Sequence, residues 1–119
     1  MQAILAIFLG SGLGGVTRYM LSKVINANNT YAFPLGTLVV NFLACLILGC
    51  VLGLGDKVST NVRLLIAAGF CGGFSTFSAF SGETFLLLQE GNYLQAFLYI
   101  LASVIVCIAA TFFGYWIVK

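Results

Sequence analysis

Four long segments of this chain lack any charged side chain, and they constrain its fold more than any other feature. No Asp, Glu, Lys or Arg occurs in residues 1–17, 24–55, 64–82 and 91–118. A helix needs about 20 apolar residues to cross the hydrocarbon core of a bilayer, and each segment is close to that length or longer. The pattern therefore predicts four transmembrane helices, at roughly residues 3–22, 35–55, 63–88 and 94–118.

The composition agrees with burial in lipid. Of the 119 residues, 61% are hydrophobic and 7% are charged, whereas a soluble domain carries about 25% charged residues. The connections between the predicted spans are too short to hold a further domain. We expect residues 1–119 to form one all-α integral membrane domain that contacts lipid and has no nucleic-acid partner. The first apolar segment lacks the basic region of a signal peptide, which favours a transmembrane span there.

Residue types used in catalysis and metal binding are scarce. The chain has no histidine, and its four cysteines have no CxxC spacing. Because histidine is the commonest metal ligand and general base, a zinc site or a histidine-dependent hydrolase is not expected. The protein is therefore not predicted to be an enzyme, and its cysteines are interpreted as small buried hydrophobic residues.

Glycines are spaced for close contact between helices. The first segment contains GSGLGG, a match to GxGxxG, but that pattern indicates nucleotide binding only between a strand and a helix. Gly10 with Gly14, and Gly49 with Gly53, have the GxxxG spacing that lets two membrane helices approach closely. We interpret both pairs as helix contacts.

The basic side chains are divided almost evenly between the two sides of the predicted bundle. With four spans, Lys57, Arg63 and Lys119 lie on the side of the two termini. Arg18 and Lys23 lie on the other side. Orientation in a membrane follows the Lys/Arg difference between the sides, and here that difference is small. Copies of the chain could therefore insert in both orientations and pair as an antiparallel dimer.

Two narrow polar stripes run along the second and fourth predicted spans. Their members are Thr37, Asn41 and Cys45 in the second span and Tyr99, Ser103 and Cys107 in the fourth. Residues four apart share a helix face, and polar side chains within a span are costly unless they face a partner or water. Each stripe therefore predicts either hydrogen bonding between helices or the lining of a polar pathway.

The third segment contains the stretch GFCGGFSTFSAFSGETF, residues 69–85. Gly72 and Gly73 favour a break in the helix, and non-helical backbone within a membrane is stable only where it is buried in protein or lines a cavity. A break leaves carbonyl oxygens without helical donors, and a ring of such oxygens binds a small cation. The stretch predicts a third helix that is broken in the middle of the membrane.

Aromatic rings and hydroxyl groups follow the predicted break at regular spacing. Phenylalanines recur every third residue beside a line of serines, namely Phe74, Phe77, Phe80, Ser75, Ser78 and Ser81. The edge of an aromatic ring is positive, so ring edges beside hydroxyl and amide donors suit a small anion of low polarisability. The same spacing also fits a phenylalanine-rich packing surface.

Two charged residues lie near the ends of the uncharged segments. Arg18 is either an interfacial side chain that reaches water or a fixed positive charge at the mouth of an anion pathway. Glu83 lies three residues beyond Phe80, and a carboxylate within a span is a candidate functional residue.

These features together resemble the Fluc (CrcB-type) fluoride channels of bacteria. The matching segments, which cover almost the whole chain, are GGVTRY, FPLGTLVVNFLACLILG, GFCGGFSTFSAFSGE and the Tyr99/Ser103 stripe. The resemblance implies a dual-topology, antiparallel homodimer of four-helix subunits that encloses two pores in the bacterial inner membrane. It also implies passive export of fluoride from the cytoplasm down its gradient, which protects the cell from fluoride toxicity.

The resemblance assigns roles to individual residues. The ring edges of Phe77 and Phe80 would contact fluoride, with rings from both subunits in each pore, and the amide of Asn41 would donate a hydrogen bond to the ion. The remaining pore positions are Ser78, Tyr99, Ser103 and Thr37.

The resemblance also implies a bound cation and two functional charges. Backbone carbonyls of Gly72 and Ser75, from both subunits, would hold a structural Na⁺ at the dimer interface. Arg18 would lie at the aqueous vestibule, and Glu83 would lie near the pore.

Two positions depart from the family pattern. Ala79 stands where threonine is commoner, and Cys107 stands where a serine often continues the fourth-span stripe. Both changes remove a strong hydroxyl donor from the expected path.

Two other functions fit the size of the chain. A small dual-topology, proton-coupled multidrug transporter also has four spans, but it needs an ionisable residue deep in its first span, and residues 1–17 contain none. A non-transporting subunit of a larger membrane assembly would direct its polar stripes toward another protein.

Overall fold

The computed structural model describes residues 1–27 and 33–119, and the regular elements in those ranges are helical. They are α1 (Gln2–Ala27), α2 (Leu35–Leu54), a 3₁₀ turn (Gly55–Lys57), α3 (Thr60–Arg63), a π-helix (Leu64–Cys71), α4 (Gly72–Phe74), α5 (Phe77–Gln89) and α6 (Tyr93–Val118). The all-α prediction is confirmed over the described residues.

Four helical stretches are long and apolar enough to cross a membrane. They are Gln2–Ala27, Leu35–Lys57, Thr60–Gln89 and Tyr93–Val118. The four predicted membrane helices are therefore confirmed, although the first extends beyond the predicted residue 22. Arg18 and Lys23 lie within it, and long basic side chains are compatible with that position because their charged ends can reach toward water.

The third stretch begins with α3 and continues as the π-helix. Ser59 caps α3, since its hydroxyl accepts a hydrogen bond from Val62 N over 3.3 Å. The π-helix covers Leu64–Cys71. Its hydrogen bonds join residues five apart, and such helices are rare and usually short.

Both termini lie at the same end of the bundle as the connection between the second and third spans. Asn61 Nδ2 donates a hydrogen bond to Gln2 Oε1 over 3.1 Å. Near the C-terminus, the side chain of Val118 occupies the space that a Cβ atom on Gly53 would need. This arrangement agrees with the even number of spans.

The first span packs on the third through glycines. Gly10 and Gly14 are the buried residues of α1. A Cβ atom on Gly10 would lie 2.8 Å from Phe70 N, and one on Gly14 would lie 2.7 Å from Phe74 N. The predicted GxxxG contact is confirmed, whereas a Cβ atom on Gly12 would have nothing within 4 Å among the described residues.

Helices α2 and α6 make the most extensive helix–helix contact. A Cβ atom on Gly49 would meet Thr111, and one on Gly53 would meet Tyr115. Because both partners advance by four residues from the first contact to the second, α2 and α6 run in the same direction in a fixed register. The same register aligns the two polar stripes.

Many large apolar side chains face outward. Phe8, Phe77 and Trp116 are 73%, 79% and 74% exposed. The buried apolar clusters are small, and among the described residues Val40 and Tyr99 are their largest fully buried side chains. An apolar surface of this extent fits lipid or another membrane-embedded protein.

Candidate functional site

The third span changes backbone conformation between α4 and α5. Ser75 (φ −84°, ψ 155°) and Thr76 (φ −152°, ψ 121°) are extended. Gly72 and Gly73, where a break was predicted, lie within α4, and Gly72 has right-handed helical angles. The prediction placed the change too early because it considered only the conformational freedom of glycine.

Side-chain hydrogen bonds stabilise the two extended residues. The hydroxyl and the amide of Ser75 both donate to Cys71 O, over 2.6 and 2.9 Å. The hydroxyl of Thr76 accepts from Ala79 N over 3.3 Å and caps α5. Serine and threonine favour such positions because they satisfy backbone groups that a helix end leaves free. The Ser75–Thr76 pair therefore specifies where α4 ends and α5 begins.

Asn41 of α2 binds the backbone at this point. The Thr76 N–H donates to Asn41 Oδ1 over 3.0 Å. In a continuous α-helix the same N–H would donate to the Gly72 carbonyl. The contact therefore leaves the Gly72 carbonyl without its helical donor. It also fixes the orientation of the Asn41 amide, because only its oxygen can accept from an N–H.

A cavity of about 270 Å³ lies where α2, α5 and α6 meet. The residues that line it are Asn41, Cys45, Ser75, Thr76, Phe77, Phe80, Ser103, Val104 and Cys107. The cavity thus brings together five predicted site residues, namely Asn41, Ser75, Phe77, Phe80 and Ser103. No Asp, Glu, Lys or Arg belongs to its described lining.

Aromatic rings form a connected row beside the cavity. The ring centroids of Phe77 and Phe80 are 5.5 Å apart, and those of Phe80 and Tyr99 are 5.0 Å apart. Phe33 packs edge-to-face on Tyr99, with a centroid distance of 5.4 Å and an interplanar angle of 82°. Tyr99 is fully buried and Phe77 is 79% exposed, so the row runs from the interior to the surface.

A second cluster of polar side chains lies around Thr37, one helical turn before Asn41 on α2. Thr37 Oγ1 donates to Glu83 Oε1 over 2.5 Å. The hydroxyl of Tyr99 lies near both side chains, although it has no hydrogen bond of standard geometry among the described residues. The structure therefore brings Thr37, Glu83 and Tyr99 together beside the cavity.

Two buried hydroxyl groups on α6 make no hydrogen bond within the described residues. Tyr99 Oη and Ser103 Oγ have no hydrogen-bond partner among the described residues. Buried polar atoms are nearly always paired, so the unpaired hydroxyl of Ser103, which lines the cavity, is available to a ligand. Tyr99 is fully buried and does not line the cavity. The described cavity lining offers hydroxyl and amide donors rather than charged groups.

Thr37, Glu83 and Tyr99 lie beside the cavity but do not line it, and three further predicted site residues lie elsewhere. Ser78 is exposed, and its Oγ lies 3.0 Å from Thr76 Oγ1. Gly72 is exposed and, with Ser75, lines a neighbouring cavity of about 190 Å³. Arg18 is half-buried in α1 and lines neither cavity, and its Nε has no partner among the described residues.

No site role was predicted for Thr76, and Cys45 and Cys107 were predicted only as members of the two polar stripes. Thr76 carried a usable signal, since a threonine that precedes a helical segment is a typical N-cap. Cys45 and Cys107 continue the two stripes at four-residue spacing. Val104 also lines the cavity, but its sequence position carried no such signal.

A metal centre made of side chains is not found in the described part of the chain. Residues 1–27 and 33–119 contain no group of three or more His, Cys, Asp or Glu side chains that could hold a metal ion.

Known proteins resemble this chain over nearly its full length. Residues 5–115 match the family described as CrcB-like protein, Camphor Resistance (CrcB). The protein called "Fluoride-specific ion channel FluC" from Pyrococcus abyssi is 46% identical over 118 residues, which cover 97% of this chain and 94% of the relative. Proteins of the same name from Phocaeicola vulgatus and Coxiella burnetii are 42% and 43% identical, over 98% and 93% of both chains. With four helices capable of crossing a membrane and a family match of this extent, the chain is a multi-pass membrane protein of the CrcB-like family.

Proposed function

We propose that this protein is a passive, fluoride-selective channel through which F⁻ leaves the cytoplasm down its electrochemical gradient, protecting the cell from fluoride toxicity. The similar proteins from P. abyssi and P. vulgatus carry a fluoride-channel name. The observation that carries the proposal is the orientation of Asn41. Its oxygen is bonded to the Thr76 N–H, so its NH₂ group is left as a donor for the cavity that Asn41 lines.

The other polar groups at the site suit the same ion. Fluoride is small and strongly hydrated, so a path must replace its water donors without holding it too tightly. Ser103 adds an unpaired hydroxyl donor to the cavity lining, and Tyr99 lies one helical turn away on the same helix. The described cavity lining contains no basic side chain that would trap an anion.

Phe77 and Phe80 add a second type of contact. Their rings are tilted by 51° rather than stacked, so they present edges in different directions. The edges of aromatic rings carry partial positive charge. Ring edges would attract fluoride weakly, which favours passage over retention.

We further propose that the working unit is an antiparallel homodimer of oppositely inserted subunits with two pores. Phe77 lines the cavity and is nevertheless 79% exposed. A second copy over this face would shield Phe77 from lipid and complete the cavity wall, so that each pore uses rings from both subunits. The even division of basic residues between the two sides supports insertion in both orientations.

A structural Na⁺ fits the interrupted third span, which we place within the membrane. The Gly72 carbonyl has lost its helical donor to Asn41. The Cα side of Gly72 is open, because a Cβ atom there would have nothing within 4 Å among the described residues. Carbonyls of Gly72 and Ser75 from both subunits would hold the ion. Its positive charge would lower the cost of an anion in a low-dielectric site.

Fluoride efflux from liposomes that contain the purified protein tests the proposed function. A fluoride-selective electrode should record rapid passive efflux, and the corresponding chloride efflux should be small. Proton-coupled uptake of an organic cation, without passive fluoride efflux, would overturn the proposal and favour the multidrug-transporter alternative.

Asn41→Asp separates the two functions of this side chain. The carboxylate still accepts from the Thr76 N–H, so the helix contact is retained, but the donor is lost and a negative charge faces the anion. We expect fluoride efflux to fall at least about tenfold, equivalent to ~1.4 kcal/mol in barrier height. The matched control is Asn61→Asp, the same chemical change at an exposed residue outside the cavity. Normal efflux through a correctly folded Asn41→Asp protein would show that Asn41 is not a pore donor.

A further inference from the structure

Cys45 and Cys107 lie beside each other on the cavity wall. Both line the cavity of about 270 Å³, Cys45 from α2 and Cys107 from α6. The register of α2 and α6 explains this placement, because the contact between Gly49 and Thr111 lies one helical turn further along the same two helices.

Neither thiol is in a disulfide, and the described residues provide no third side chain that could bind a metal ion together with them. The cysteines form no disulfide. Cys71 is 5% exposed, and its Sγ donates to Ala44 O over 3.5 Å. Within the described residues no group of three His, Cys, Asp or Glu side chains could hold a metal ion. A four-ligand zinc site is therefore not available, and two neighbouring thiols suit only an ion that accepts two ligands.

We propose that Cys45 and Cys107 form a two-thiolate site for a soft, linearly coordinated d¹⁰ cation of the Cu⁺, Ag⁺ or Hg²⁺ type. Thiolate ligands select soft ions over the hard cations that prefer oxygen. On binding, two S–H bonds are lost and two S–metal bonds form. Two protons pass to the solvent, and neither sulfur nor metal changes oxidation state.

A bound ion would obstruct fluoride. Cys45 follows Asn41 by one turn on α2, and Cys107 follows Ser103 by one turn on α6. The metal would therefore stand next to the proposed fluoride donors, and a monovalent ion held by two thiolates would also carry a net negative charge. This blocking effect rests on the proposed fluoride function, whereas the metal site itself does not.

The probe for the site is Hg²⁺, added at one equivalent per subunit to the reduced full-length protein in chloride-free detergent buffer. After challenge with a monothiol competitor, intact mass spectrometry counts the mercury retained. We expect one mercury per wild-type subunit, with the mass of two lost protons that marks a bis-thiolate. Cys50→Ser should retain it, and Cys45→Ser and Cys107→Ser should each lose it.

Two results would overturn the site. One is no retained mercury in wild-type protein that elutes as a folded species in gel filtration. The other is equal retention by Cys107→Ser and wild type. Because a variant could misfold, alkylation of the wild-type protein gives a second measurement: mercury should protect Cys45 and Cys107 together and leave Cys50 reactive. Protection of a different pair would also overturn the site.

Fluoride efflux distinguishes failure of the site from failure of the proposed function. Hg²⁺ should stop efflux in wild type and in Cys50→Ser, and it should leave Cys107→Ser at its own metal-free rate. Mercury retention without inhibition would overturn the blocking effect alone. A protein that retains mercury but shows no fluoride efflux in any condition would overturn the proposed function and support the metal site.

Discussion

The contact between α2 and α6 has two halves that differ in what lies between the helices. In the open half, residues 37–45 of α2 face residues 99–107 of α6 with hydroxyl, amide and thiol groups, and the cavity lies alongside. In the closed half, Gly49 and Gly114 are buried. A Cβ atom on Gly49 would lie 2.9 Å from the carbonyl carbon of Thr111, so the two backbones touch there.

The size of the facing side chains is what distinguishes the halves. The helices run in the same direction, and facing positions advance by four residues in both halves. Glycines allow close backbone contact, whereas the open half places hydroxyl, amide and thiol side chains beside the cavity. Contact in the closed half fixes the relative position of α2 and α6. That position determines how the hydrogen-bond donors of the open half are oriented. A precise site requires such rigid support.

Gly49→Val should have the largest effect, because it would bring a branched side chain into the closed half. The backbone of Thr111 blocks that space and cannot move aside as a flexible side chain would. Overpacking a tight core costs about 1–3 kcal/mol or more, and we expect the upper end of that range. The measurement is the melting temperature in detergent, read from the folded peak in gel filtration.

The control for Gly49→Val is Gly12→Val, the same substitution in another membrane helix. A Cβ atom on Gly12 would have nothing within 4 Å among the described residues. Its melting temperature should stay near that of wild type. Equal destabilisation by both variants would mean that the close backbone contact at Gly49 is not what holds the two helices together.

Phe80→Ile should change function while preserving the fold. It removes the ring that lies between Phe77 and Tyr99, with centroids 5.5 and 5.0 Å away, and keeps an apolar side chain in its place. We expect fluoride efflux to fall about tenfold, the equivalent of ~1.4 kcal/mol, with unchanged gel-filtration elution. Phe85→Ile, on the exposed surface of α5, is the matched control. A loss of efflux in both variants would contradict a specific role for the ring row.

Ser103→Ala and Thr111→Ala compare hydroxyls in the two halves and should give the smallest effects. Ser103 Oγ has no partner among the described residues, so its removal should leave stability within about 0.5 kcal/mol of wild type. Loss of one donor worth ~0.5–1 kcal/mol should slow fluoride efflux about two- to fivefold.

The hydroxyl of Thr111, unlike that of Ser103, has a hydrogen-bond partner in the structure. Its hydroxyl donates to Cys107 O over 3.1 Å, and it lies outside the cavity lining. Thr111→Ala should therefore keep the wild-type efflux rate. If Thr111→Ala slows efflux as much as Ser103→Ala does, the open and closed halves do not divide function in the way proposed.

The sequence predicted the features that depend on nearby residues. Uncharged segments and four-residue spacing gave the four helices and both polar stripes, because these patterns follow from helix geometry. The partner of Asn41 was not predictable in this way. Thr76 lies 35 positions further along the chain, and only the folded arrangement of α2 against the third span brings the two together.

The start of α5 shows the same limit on a smaller scale. Glycine freedom predicted a break at Gly72, yet the extended residues are Ser75 and Thr76. Their competing hydrogen bonds decide the outcome. The register of α2 and α6 was likewise not predictable from the sequence. GxxxG spacing at Gly49 identifies a contact face, but it does not show which helix packs against that face.

Winding within the third span determines which way the aromatic rings point. An α-helix rotates the chain by about 100° per residue, and the wider π-helix at Leu64–Cys71 rotates it by less. The angular phase of everything that follows, including Phe77 and Phe80, is therefore offset from that of a uniform α-helix. Ordinary α winding over the same eight residues would turn both rings relative to α6 without altering any residue that lines the cavity.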